Sequence, residues 1–122
     1  MKALIVDDSS FIREYLRNLL SPMGVTCAEA VDGSHALAVL EAQADFDLML
    51  LDLNMPVMNG LECVKALRRL KLQPEMKVMM VTTEADNHFI SKALDNGADE
   101  FLMKPFTSES LREKMMLLGF AA

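Results

Sequence analysis

A doubly wound α/β fold on a five-stranded parallel sheet is the architecture this sequence predicts. Three observations point there. Five short apolar runs alternate with longer stretches of helical spacing. The 122 residues shared over five such units give roughly 24 each, above the dozen or more that a parallel crossover requires. The first, third and fourth runs are the most continuously apolar, as befits central strands covered on both faces.

The runs are Ala3 to Val6, Val25 to Ala28, Leu48 to Leu51, Val78 to Val81, and Phe101 to Met103. Leucine and methionine are poor strand markers, so run length and the polar residues at each end carry the assignment. Phe11, Ile12, Tyr15, Leu16 and Leu19 form the first helical stripe, with Ser9 or Ser10 as its N-cap. Ala36, Leu37 and Leu40 form the second, after a turn signal at Asp32-Gly33. Leu61, Val64 and Leu67 make the third. The fourth is Phe89, Ile90, Ala93 and Leu94, with Gly97 suited to a left-handed C-cap. Thr107 caps a last helix that carries Leu111, Met115 and Leu118 on one face and closes at Gly119. The second run contains Thr26 and the fifth is short, so both suit sheet edges. The order 2-1-3-4-5 fits this ranking. It is taken over from known doubly wound sheets, because periodicity does not select it.

Composition narrows the function. Lysine plus arginine number 12 against 18 acids, a net charge of −6, which disfavours nonspecific nucleic-acid binding. No apolar run approaches the roughly 18 residues of a membrane span, and Asp7 comes too early for a secretory signal. Two cysteines, Cys27 and Cys63, without a CxxC pairing fit reduced thiols in the cytoplasm. The eleven methionines fit adaptable core packing, although Met116 and Leu117 widen the last helix's apolar face toward the surface. His35 and His88 lie apart in helical segments and suggest no metal or phosphoacceptor site.

Ligands of open parallel sheets bind beyond the carboxyl ends of the strands, near the point where strand order reverses. The first run ends in Asp7-Asp8, the third in Asp52, the fourth in Thr82-Thr83, and the fifth in Lys104. Neighbouring strands lie about 4.8 Å apart, so Asp52 stands between the Asp7-Asp8 pair and Thr82. Lys104 starts two strands away with the longest side chain of the set. Three carboxylates on one rim repel one another, and a hard divalent cation relieves this. Mg²⁺ suits an open site of carboxylates, waters and a phosphate oxygen. A carboxylate can then attack phosphorus to give an acyl phosphate, with Lys104 and Thr82 on the phosphoryl oxygens. Singly, each residue reads as a cap, a strand end or a solvated charge; jointly they make an aspartyl-phosphate site.

On these residues the sequence resembles the receiver domain of bacterial response regulators, most closely the single-domain CheY-like kind. Asp52-Leu-Asn-Met-Pro-Val-Met-Asn-Gly60 is the most specific stretch. Ile5-Val-Asp-Asp-Ser9, Val81-Thr-Thr-Glu-Ala85 and Phe101-Leu-Met-Lys-Pro-Phe106 follow at compatible spacing. The similarity runs from Lys2 to about Leu118. It implies a flavodoxin/CheY-like (βα)5 fold and one receiver domain over residues 1–122 with no output domain.

The resemblance implies that Asp52 accepts a phosphoryl group from a phosphohistidine on a sensor histidine kinase. Asp8, Asp52 and the backbone carbonyl of Asn54 would ligate Mg²⁺, with Asp7 acting through metal-bound water. Lys104 and Thr82, with Thr83 beside it, would engage the phosphoryl group, and Phe101 would turn inward. Many relatives have tyrosine at that position, so this chain keeps the steric part of the switch and lacks the hydroxyl. The Lys104–Pro105 bond is expected to be cis, and Asn54 and Glu84 to tune dephosphorylation. The fourth helix, fifth strand and fifth helix, around Lys92, Phe101, Met103 and Met115, would dock a downstream effector or phosphatase. The protein would catalyse only its own phosphorylation and dephosphorylation. Chemotaxis is the leading expectation, with a phosphorelay intermediate second. A metal-dependent small-molecule phosphohydrolase fits less well: Asn54 stands where haloacid-dehalogenase-like enzymes place a second acid. A nucleotide- or flavin-binding domain lacks its glycine-rich loop here.

Overall fold

The computed structural model describes residues 1–83 and 87–120. Its elements are β1 (Lys2–Val6), α1 (Ser10–Leu20), β2 (Thr26–Ala30), α2 (Gly33–Ala42), β3 (Leu48–Asp52), α3 (Gly60–Arg69), β4 (Lys77–Thr82), α4 (Asn87–Asp95), β5 (Glu100–Met103) and α5 (Ser108–Leu117). All strand pairings are parallel, in the order β2-β1-β3-β4-β5. The expected fold class and order are both present.

Period-two alternation along the strands divides the core between two faces. Leu4, Val6, Met49, Leu51, Val78 and Met80 pack on one face with Ala36 and Leu40 of α2, Cys63, Val64 and Leu67 of α3, and Ala93 of α4. Ala3, Ile5, Leu48, Leu50, Met79 and Val81 pack on the other with Leu16 and Leu20 of α1 and Leu111 and Met115 of α5. All five residues of β3 are buried, consistent with its central position.

The helix starts obey capping chemistry. Ser9 accepts from the Ile12 N–H, Asp32 from His35, Asn59 from Glu62 and Thr107 from Ser110. The Asp32-Gly33 signal therefore opens α2 directly and is not a free turn. Gly97 takes φ +111° after α4, the left-handed conformation expected of it. Two details differ from the sequence expectation. A 3-10 turn at Ser21–Met23 follows α1, so β2 begins at Thr26 and runs to Ala30. Phe11 is 73% exposed: α1 buries Leu16 and Leu20, and Phe11 lies beyond the edge of that stripe.

Candidate functional site

The parallel register carries the acids together. Val6 pairs with Leu51, so the next residues, Asp7 and Asp52, leave neighbouring strands at the same level. The Asp7 N–H donates to the Ala30 carbonyl at 3.1 Å, and its Oδ1 accepts from the Ser9 N–H at 2.9 Å. Asp7 is 2% exposed, and its Oδ2 is the one buried side-chain polar atom among the described residues with no hydrogen-bond partner. The Lys104 ammonium lies 3.6 Å from that oxygen as an ion pair. Asp8 is exposed at the rim.

Asp52 is 6% exposed. It accepts from the backbone N–H of Asn54 and from Lys104 Nζ at 3.4 Å. Burial, and then the neighbouring Asp7 charge, push its pKa up to about 6, against the opposing pull of Lys104 and the Asn54 N–H. Burial likewise raises Asp7, against the Ser9 N–H and Lys104. A carboxylate oxygen from each of Asp7, Asp8 and Asp52 falls within 4.8 Å of the others. This donor set is all oxygen, it gathers more negative charge than Lys104 offsets, and it includes an orphaned buried oxygen. Such a set fits a hard divalent cation.

Thr82 ends β4 at 1% exposure, and the preceding Val81 pairs with Asp52 in the sheet. Its hydroxyl donates to the Thr83 carbonyl at 3.5 Å. Lys104 follows β5, anchored by its N–H to the Thr82 carbonyl at 2.6 Å, and the Lys104–Pro105 bond is cis. The sheet thus brings Asp7, Asp8, Asp52, Thr82 and Lys104 to one rim. Asn54 and Thr83 are exposed beside them. Phe101 stands three residues before Lys104, half-buried against the α2/α3/α4 face of the core. Lys114 Nζ sits 4.2 Å from its ring centroid. Glu84 lies outside the described residues.

Gly60 holds the loop after Asp52 close: a Cβ there would lie 2.5 Å from the Asp52 carbonyl oxygen. An apolar hollow of about 490 Å³ flanks the rim, lined by Phe11, Ile12, Tyr15, Thr83, Lys104, Pro105 and Phe106. Sequence reading missed two residues that frame the acids, Arg13 and Glu29. Arg13 Nη1 donates to the Asp7 carbonyl at 2.7 Å, and its Nε donates to Glu29 at 2.8 Å. The helical i, i+4 pair Arg13 and Arg17 was the available signal.

The response regulator receiver domain family matches residues 3–116. The chain belongs to this family. It is 40% identical over 121 residues to the chemotaxis protein CheY1 of Helicobacter pylori, covering 98% of each chain. It is 41% identical over 116 residues to the chemotaxis protein CheY of Pseudomonas aeruginosa, covering 94% of this chain and 93% of that one. The crystallised chemotaxis protein CheY4 of Vibrio cholerae superposes with a TM-score of 0.86 at 37% identity, covering 95% and 96% of the two chains. Receiver domains of the CheY-like kind are signalling proteins rather than conventional enzymes; they take phosphoryl groups from histidine kinases and bind downstream effectors. No helix among the described residues is long and apolar enough to cross a membrane.

Proposed function

We propose that this receiver accepts a phosphoryl group on Asp52 from the phosphohistidine of a sensor kinase. One observation carries the proposal: a buried carboxylate has an oxygen within 4.8 Å of oxygens from two further acids and lies 3.4 Å from a lysine ammonium. The Asp52 oxygen forms the new P–O bond as the P–N bond to the donor imidazole breaks, its electron pair remaining on nitrogen. At neutral pH Asp52 is chiefly ionised, as a nucleophile must be, because its pKa of about 6 lies below ambient pH.

Asp7, Asp8, Asp52 and the Asn54 main-chain carbonyl would hold Mg²⁺. When bound, the ion supplies neutralisation of the crowded carboxylates and of the incoming phosphoryl oxygens. Lys104 follows the transferred charge. Thr82 and Thr83 offer hydrogen bonds that are made only once the phosphoryl group is present. Those bonds bias the equilibrium of the α4-β5-α5 face, with Phe101 as the moving ring. Asn54 and Glu84 set the lifetime of the acyl phosphate. The names of the similar proteins support chemotaxis as the process served, with a cytoplasmic location and an effector protein as the reader of the switch.

Incubation with Mg²⁺ and acetyl phosphate followed by intact-mass measurement tests the chemistry. The expected result is one labile phosphoryl adduct, lost in Asp52→Asn and in chelator; a normal adduct on that variant moves the acceptor elsewhere. For the process, deletion of the gene is expected to reduce swimming expansion in soft agar. Unchanged expansion would remove chemotaxis from the reading.

A further inference from the structure

Metal binding at this rim requires carboxylates aimed at one point, yet Asp7 and Asp8 sit in a loop without proline. The polar groups of Asp7 are accounted for one by one. Its N–H goes to Ala30, its Oδ1 takes the Ser9 N–H, and its carbonyl takes Arg13 Nη1 at 2.7 Å. Only Oδ2, facing the acid cluster, is left without a hydrogen bond. Arg13 is itself braced. Its side chain is 15% exposed, and its Nε donates to Glu29 Oε1 at 2.8 Å. The other Glu29 oxygen takes Arg17 Nη2 at 2.6 Å and Arg17 Nε at 3.1 Å. Glu29 is fixed in β2 opposite Ile5, two residues before Asp7. The link from Glu29 through Arg13 to the Asp7 carbonyl joins β2, α1 and the end of β1, with Arg17 outside it on the far Glu29 oxygen.

We propose that Arg13, braced by Glu29, is a positioning residue: it fixes the main chain of Asp7 and so aims the Asp7 and Asp8 carboxylates at Mg²⁺. This rests on the metal-dependent reading above. A guanidinium fork is required because it holds a carbonyl and a carboxylate in two fixed directions, which an ammonium cannot do with the same geometry.

Positioning and plain electrostatics predict opposite signs. Removing a cation near the acids would, by Coulomb's law alone, tighten cation binding. Losing the support of a ligand loosens it, by about 10-fold for a typical outer-shell partner.

The test titrates Mg²⁺ into the full chain without phosphodonor, following backbone amide shifts of residues 7–9 and 52–54 by NMR. Arg13→Met is expected to weaken the Kd by about 10-fold. Arg17→Met makes the same charge change but touches only Glu29, and is expected to leave the Kd unchanged or tighter. Arg13→Lys preserves the charge and is expected to weaken binding to an intermediate degree. Should Arg13→Met fail to fold by circular dichroism, the lysine variant decides the matter. Native or tighter Mg²⁺ affinity in the folded Arg13 variants overturns the proposal, as does equal weakening in Arg17→Met. A native chain whose amides do not respond to Mg²⁺ overturns the metal site itself, a failure distinct from unchanged binding in the variants.

Discussion

The two ends of the sheet make an instructive pair. At the carboxyl ends of the strands, Asp7, Asp8 and Asp52 crowd together, Lys104 pairs with Asp7 and Asp52, and Asp7 Oδ2 is buried without a hydrogen bond. At the opposite end a hollow of about 380 Å³ lies between the α2–β3 and α3–β4 connections, and its polar framework is well paired. Gln73 Oε1 accepts from the Phe46 N–H at 2.9 Å, and its Nε2 donates to the carbonyls of Leu40 at 2.9 Å and Gln43 at 2.7 Å. Lys2 reaches the Ala44 carbonyl at 3.2 Å and lies over the Phe46 ring. Left-handed backbone at Asp45, Lys71 and Gln73 belongs to this end too. A roomy hollow with paired polar groups is architecture. A tight cluster with charge in excess and an oxygen unused is equipped for a ligand, in keeping with the tendency of perturbed acids to gather at functional sites.

The sharpest way to break this contrast is pH. The unfolded chain releases the Asp52 proton near 3.8, whereas the folded chain holds it to about 6. Between those values the native state binds more protons, so the Asp52 contribution to stability falls as pH rises, by about 3 kcal/mol across the window. Without Mg²⁺, Asp52→Asn is therefore expected to be more stable than the native chain at pH 7 in urea titrations. The gap should close toward pH 4, and a gap independent of pH would rule out ionisation as its cause. Next in size, Gln73→Ala leaves the Phe46 N–H without its partner and should lower stability by about 2 kcal/mol while acetyl phosphate labelling stays native. Reduced labelling at native stability would instead couple the two ends. Asp7→Asn keeps an acceptor for Ser9 and removes a buried charge. Its midpoint in urea should rise by the equivalent of about 1 kcal/mol while Mg²⁺ affinity drops; a fall in both would make Asp7 structural. The smallest effect belongs to Phe11→Ser, expected to change stability by less than about 0.5 kcal/mol because the ring is largely in solvent.

Much of the site was legible because parallel strands deliver whatever follows them to one rim: Asp7, Asp8, Asp52, Thr82 and Lys104 all come directly at or after strand ends. Strand order was legible only by analogy, since apolar periodicity reports how far a strand is covered and says nothing of its neighbour. Phe11 was misread because a one-dimensional stripe does not reveal how wide a helix's contact with the sheet will be. Arg13 and Glu29 escaped notice for a related reason. They are 16 residues apart and meet only through the packing of α1 over β1 and β2, so the i, i+4 arginine spacing marks a basic face on α1 without naming its acidic partner on β2.

The clasp on Phe101 has a kinetic and energetic bearing on signalling. Lys114 Nζ lies over that ring and also reaches Glu100 at 3.2 Å, so α5 grips β5 through two adjacent residues. Swinging the ring away forfeits about 0.5 to 1 kcal/mol of cation–π attraction, enough to alter the ratio of two conformers severalfold. In the proposed switch this grip acts as a ratchet pawl on the idle position, and because it is electrostatic, brine loosens it. Background output without stimulus would then climb with osmotic salt load, a property lodged in a lysine of α5.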